Sequence, residues 1–171
     1  IHCAAKAGDW GTYQEFFDTN VIGTRNVIDA CKRNDIKKIV YLSTPSAYFN
    51  GQDRFNIAEN EPLPQKQFNY GKTKLMAESE LLALEKEGFK TIILRPRAVY
   101  GKYDQNIVPR FLHLAEKKNM PLINGGKALV DITYVGNVVI AVKNCFMASD
   151  HAWNEVYNIS NGAPITMKEW I

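Results

Sequence analysis
Short β-branched and aromatic runs alternate along this chain with amphipathic stretches of ten residues or more, and that alternation restricts the fold more than any other feature. The runs are Ile1–Ala5, Lys38–Ser43, Thr91–Leu94, Pro121–Ile123 and Glu155–Ser160. Between them the spacing predicts helices over Tyr13–Lys32, Tyr70–Glu87, Ile107–Lys118 and Val135–Met147. Gly88 closes the second, and Pro109 falls in the first turn of the third, where the missing N–H is tolerated. A strand that is apolar on both faces has to be covered on both, and strands joined by helices of this length run parallel. The sequence therefore predicts an α/β fold with a mostly parallel sheet between helical layers.

At 171 residues and 46% hydrophobic, the chain can bury one sizeable core, so residues 1–171 are expected to form a single domain. The net charge of +3 is spread over clusters such as Lys32-Arg33 and Lys37-Lys38, which solvate a surface and point to no nucleic-acid partner. Cys3, Cys31 and Cys145 sit in apolar contexts without Cys-x-x-Cys or His-adjacent spacing. They read as buried thiols in a reducing compartment, with neither a disulfide nor a metal site expected. No apolar run of about 18 residues is present, so no membrane span is expected and the location is read as cytoplasmic.

Chemistry concentrates at Tyr70-Gly71-Lys72-Thr73-Lys74. A spacing of four puts the phenol of Tyr70 and the ammonium of Lys74 on one helix face, one turn apart. A phenol of ordinary pKa about 10 is a poor acid or base at neutral pH, and a nearby cation favours the phenolate and brings it toward working range. The alternative is an exposed ion-dipole pair on an ordinary helix. In an open parallel sheet, sites form at the carboxyl ends of strands. After the second run come Ser43, Thr44 and Ser46, any of which could hydrogen-bond the substrate oxygen that Tyr70 protonates, or simply cap a turn.

The order of His2-x-Ala4-Ala5, Asn20-Val-Ile-Gly23-Thr24, Val40-Tyr-x-Ser43-Thr44-Pro-Ser46, Tyr70-x-x-x-Lys74 and Leu94-Arg95-Pro96-x-x-Val99-Tyr100-Gly101 resembles the extended short-chain dehydrogenase/reductase family, the NAD-dependent epimerase/dehydratase group. That resemblance implies a Rossmann-like doubly wound sheet. It implies that Tyr70 is the catalytic acid or base, and that Lys74 binds the nicotinamide ribose and lowers the phenol pKa. Thr44 aligns as the donor to the substrate oxygen. Asn20 matches the helix asparagine that supports the strand ends; read from the residues alone, it could equally bond only to backbone. Ala4 and Ala5 match small residues beside the dinucleotide, and Pro96 the turn that meets the nicotinamide carboxamide. The implied cofactor is NAD or NADP.

Trp10-Gly11-x-Tyr13-x-x-Phe16 and Val130-Asp131-x-Thr133-Tyr134-Val135-x-Asn137-Val138-Val139 look like the branch of 3β-hydroxysteroid dehydrogenases and related 3-keto acid or sterol reductases. Sugar-nucleotide epimerases commonly carry an asparagine where this chain has Ala98, which argues against a nucleotide-sugar substrate. Asp131 is expected to cap the helix near Val135. The family's glycine-rich phosphate loop is not found: Gly8 and Gly11 lack the third glycine and the helix-opening context. The chain is therefore read as the catalytic and substrate-side portion of a longer enzyme, cut at both ends, with roughly 60 to 75 residues preceding it.

The expected function is interconversion of a secondary alcohol and a ketone with a nicotinamide cofactor. A nucleotide-sugar epimerase or dehydratase of the same family is one alternative, and a non-catalytic NAD(P)-binding regulatory protein is another. The expected partner is a small-molecule substrate. A homodimer follows if the helices from Tyr13 and Tyr70 pair with a second copy, although their outward faces are mixed.

Overall fold
The computed structural model describes residues 1–170 except 9, 53, 66 and 118–121. Helix α1 (Tyr13–Phe17) passes through a π turn (Asp18–Ile22) into α2 (Gly23–Arg33), followed by β1 (Lys38–Leu42) and a 3₁₀ turn (Pro45–Tyr48). Next come α3 (Asn69–Ala83), a 3₁₀ turn (Leu84–Glu87), β2 (Lys90–Pro96), β3 (Val99–Tyr100) and α4 (Ile107–Glu116). The chain continues through β4 (Leu129–Val130), β5 (Thr133–Tyr134), α5 (Val135–Phe146), β6 (Glu155–Ile159), β7 (Ile165–Thr166) and α6 (Met167–Trp170). The chain packs as two compact units, Ile1–Arg95 with Cys145–Asn158, and Pro96–Asn144 with Ile159–Ile171.

The first unit is built on the sheet β1-β2-β6. β1 and β2 are parallel, in register from Lys38↔Lys90 to Leu42↔Leu94, with α3 as their crossover. Ile39, Tyr41 and Ile93 point to one face and pack with Ile28 of α2 and Ala77, Leu81 and Leu84 of the α3 segment. The alternate residues Val40, Ile92 and Leu94 are buried as well, so both faces of the strands are covered. Each such side chain contributes about 1.5–3 kcal/mol of burial. The start of α1 is fixed by a capping box in which Thr12 and Glu15 each satisfy the other's backbone N–H, at 3.3 and 2.8 Å. Gly88, at φ 78°, takes the left-handed position that ends the α3 segment.

The expected strand at Ile1–Ala5 is reduced to a single bridge. The His2 N–H donates to Val40 O at 2.8 Å and the Leu42 N–H to His2 O at 3.1 Å, while Ile1 is 62% exposed. Cys3, in the same stretch, is exposed, Cys31 is half-buried and Cys145 is buried, so the expectation of three buried thiols holds only for the last.

In the second unit β3 and β5 pair in parallel and β4 pairs antiparallel with β7. Asp104 caps α4 by accepting from the N–H groups of Asn106, Ile107 and Val108 at 2.8–3.0 Å. Gly101 (φ 145°) has no room for a side chain, since a Cβ there would lie 2.5 Å from Val135 Cγ1. The strand expected over Pro121–Ile123 begins on a residue outside the described ones, and Ile123 opens a 3₁₀ turn (Ile123–Gly126). Asp131 does not cap α5 as expected through Oδ1, which is buried without a hydrogen-bond partner among the described residues. Among those residues no helix is long and apolar enough to cross a membrane.

Candidate active site
Helix α3 turns an unusual face to the core: beside Ala77 and Leu81 it buries Thr73, Lys74 and Glu78. Buried lysine and glutamate are rare unless something holds them, and here each is held. Tyr70, Lys74 and Glu78 follow one another at intervals of four along this face. Gly71 lets the start of α3 come against the turn after β1, where a Cβ would lie 2.7 Å from Ser46 O. That close approach brings Tyr70 to the hydroxyls following β1.

Those hydroxyls divide. Ser43 donates to Glu78 Oε1 beneath the site. Thr44 caps the 3₁₀ turn, its Oγ1 accepting from the Ser46 N–H at 3.1 Å and donating to Ser46 Oγ at 3.1 Å. Of the three, Thr44 is the hydroxyl that acts on Tyr70: burial pushes the Tyr70 phenol above its ordinary value, and the nearby Thr44 hydroxyl pulls in the opposite direction. Phe16 packs against the Tyr70 ring, with centroids 6.2 Å apart.

Lys74 is 1% exposed, its Nζ donating to Leu42 O at 2.7 Å and lying 3.9 Å from the centroid of the Tyr41 ring. Burial brings this ammonium down to about 8, against the opposing influence of Glu78 and Cys3. The expected lowering of the phenol pKa by Lys74 is not among the influences on Tyr70. The lysine charge is directed at the Leu42 carbonyl and the Tyr41 face instead. Leu42 O is its one hydrogen-bond acceptor among the described residues, and the Tyr41 ring face takes a second direction of the three-donor ammonium.

Asn20 sits in the π turn, and its carboxamide is fully used. Oδ1 accepts from the Lys6 N–H at 2.8 Å, while Nδ2 donates to Lys6 O and to Thr73 Oγ1, both at 3.1 Å. It ties the loop after His2 to α3, so it bonds to more than backbone. Thr24 Oγ1 donates to Asn20 O at 2.6 Å and contacts His2 Nε2 at 3.0 Å. Ala4 is exposed and Ala5 half-buried, with no backbone hydrogen bond to either among the described residues, leaving that backbone open to a ligand. Pro96 ends β2 and begins the second unit.

Reasoning from the sequence missed Glu78, Arg95 and Tyr48. Arg95 Nε donates to Glu78 Oε1 at 3.0 Å, its Nη2 to Oε2 of the same carboxylate, and its Nη1 to the Tyr48 hydroxyl. Tyr48 OH in turn donates to Asn158 Oδ1 at 3.0 Å. The signal for Glu78 was present: it lies four residues past Lys74, as Lys74 lies four past Tyr70.

This motif order on this sheet defines an extended short-chain dehydrogenase/reductase with a Rossmann-like fold. Residues 1–170 match the sequence profile of the 3-beta hydroxysteroid dehydrogenase/isomerase family, and the chain belongs to that family. It is 36% identical to a 2-alkyl-3-oxoalkanoate reductase of Stenotrophomonas maltophilia, an alignment covering all of this chain and 54% of that one. It is 32% identical to the human decarboxylating sterol-4-alpha-carboxylate 3-dehydrogenase, over 96% of this chain and 46% of that one. The fold superposes on UDP-glucuronic acid 4-epimerase from Bacillus cereus in complex with NAD, with a TM-score of 0.85, 26% identity, and 99% and 55% of the two chains covered. The chain thus spans about half the length of the curated relatives it matches.

Proposed function
We propose that this chain carries the proton-transfer and substrate-side machinery of an NAD(P)-dependent oxidoreductase that interconverts a ketone and a secondary alcohol. The observation that carries the reading is the close approach of α3 at Gly71 to the turn that Thr44 caps, which sets Tyr70 beside the Thr44 hydroxyl with the Lys74 ammonium buried one turn further on. A carbonyl oxygen placed between Tyr70 and Thr44 accepts a hydrogen bond from the threonine and the proton of the tyrosine as it becomes a hydroxyl. Tyr70 is protonated at neutral pH, the form that donation in the reducing direction requires, while its burial weakens the phenol as an acid. Lys74, ionised at neutral pH, keeps donor capacity beyond its bond to Leu42 O for a ribose hydroxyl, and Ala4 and Ala5 leave backbone accessible. When bound, a nicotinamide dinucleotide supplies or accepts the hydride. Asn20 keeps the loop that carries Lys6 in place against α3.

The substrate class follows from the relatives: a 3-oxo acid or a 3-hydroxy sterol acid fits their names. Nucleotide-sugar epimerisation is the second reading, favoured by the structural neighbours. Ala98 argues against it. Its φ of 36° is a left-handed bend that asparagine tolerates better than alanine, yet no amide is there to meet a sugar-nucleotide phosphate. Steady-state assays of the intact enzyme decide between them. Oxidation of NADH or NADPH with a 2-alkyl-3-oxo acid is expected, with no turnover of UDP-glucuronic acid; the opposite pattern would replace this reading with the second.

A further inference from the structure
A carboxylate the reaction does not use lies beneath these residues. Glu78 is 3% exposed and Arg95 4% exposed, and both project from elements that also carry the site. One Glu78 side chain receives Ser43 from the end of β1 and Arg95 from the end of β2. Ser43 adjoins both Leu42, whose carbonyl holds Lys74, and Thr44, whose hydroxyl meets Tyr70. The Arg95 guanidinium continues to Tyr48, at the far end of the turn that Thr44 caps. Resting on the function proposed above, we propose that Glu78 is a positioning residue: it fastens the ends of β1 and β2 beneath the site and, buried one helical turn beyond Lys74, supports the charge of that ammonium.

Two alternative accounts are less complete. As a plain stability device, a buried ion pair is a weak choice, since well-packed apolar residues often serve as well or better. As a partner for Ser43 alone, Glu78 would not require a two-pronged arginine. Burial is the influence on Lys74 that disfavours its charge. His2 lies near enough for Lys74 to lower its pKa, after the larger effect of burial, and the Tyr41 ring and Cys3 lie around it as well. Glu78 is the carboxylate among them, and it opposes the burial that lowers Lys74.

The test needs no cofactor and no substrate. In lysine-labelled protein, carbon-13 NMR follows the titration of Lys74, expected at about 8 in the parent chain. Glu78→Gln removes the carboxylate charge and is expected to move that titration down by about one unit or more; simple loosening would admit water and move it up, toward the free-lysine value. Arg95→Met leaves the carboxylate unopposed and should move it up. The double variant, which holds no unpaired charge, should titrate about one unit or more below Arg95→Met, and it carries the test if Glu78→Gln alone unfolds. In the intact enzyme the alkaline limb of kcat should follow the same order. A Lys74 titration indifferent to the Glu78 carboxylate, or a double variant that fails to fold, would overturn the proposal. If Lys74 moves as stated while no ketone is reduced, the function fails and the role of Glu78 toward Lys74 stands.

Discussion

Three hydroxyls follow β1, and they differ in their surroundings: Ser43 serves Glu78, Ser46 bonds to Thr44, and Thr44 is the one that acts on the Tyr70 phenol. Thr44→Ser is therefore expected to keep most of the turnover of the intact enzyme and Thr44→Val to lose about tenfold to a hundredfold, measured as kcat; equal rates would move the role to another hydroxyl. The residues alone left all three open, because adjacent positions in a turn differ in direction and not in composition; the order of motifs in the family selected Thr44. Tyr70 and Lys74 were legible because four-residue spacing on a helix has one geometric meaning. The electrostatics between them were not, since the partner of the Lys74 ammonium, the Leu42 carbonyl, belongs to a strand 32 residues away. Burial holds Lys74 at about 8 in the folded chain against 10.5 when free. Between those values the unfolded chain binds the extra proton, so stability rises with pH there, and a penalty on the order of 3 kcal/mol at neutral pH is relieved. Relative to Lys74→Met, which has no such proton, the parent chain is expected to gain stability between about pH 8 and 10 in thermal unfolding. A difference that does not change with pH would contradict the burial of a charged Lys74.

Among elements, the π turn at Asp18–Ile22 and the contact of α3 with the 3₁₀ turn at Pro45–Tyr48 do most to assemble the site. The π turn places Asn20 inward without breaking the helix, and such turns recur at functional positions. Nothing in the spacing of Phe16, Phe17 and Val21 announces it, because one extra residue per turn barely alters a helical pattern. The contact of α3 depends on Gly71. Gly71→Ala should force the two elements apart, costing about 1–3 kcal/mol and lowering kcat by about tenfold or more, as Tyr70 and Thr44 separate. An alanine variant of normal stability and rate would show that the approach is not needed. The long helices and the strands β1, β2 and β6 were legible from alternation. The two-residue strands β3, β4, β5 and β7 were not, because two residues cannot display a period of two.

For the molecule as a whole, these 171 residues carry the Tyr70-x-x-x-Lys74 motif proposed to be catalytic and do not carry the glycine-rich phosphate loop of the family. Backbone donors at a helix N-terminus carry much of the affinity for a pyrophosphate, so residues 1–171 expressed alone are expected to show no binding of NADH or NADPH at low micromolar concentration in calorimetric titration. Binding at that level would mean that Lys74, Ala4 and Ala5 suffice to hold the dinucleotide. The central claim, that Tyr70 is the group that moves the proton, is tested most directly by Tyr70→Phe in the intact enzyme, with kcat for ketone reduction and cofactor affinity measured on the same preparation. The account predicts a fall in kcat of about a hundredfold or more with cofactor affinity little changed, since only the proton-bearing oxygen is removed. Turnover near that of the parent enzyme would contradict it.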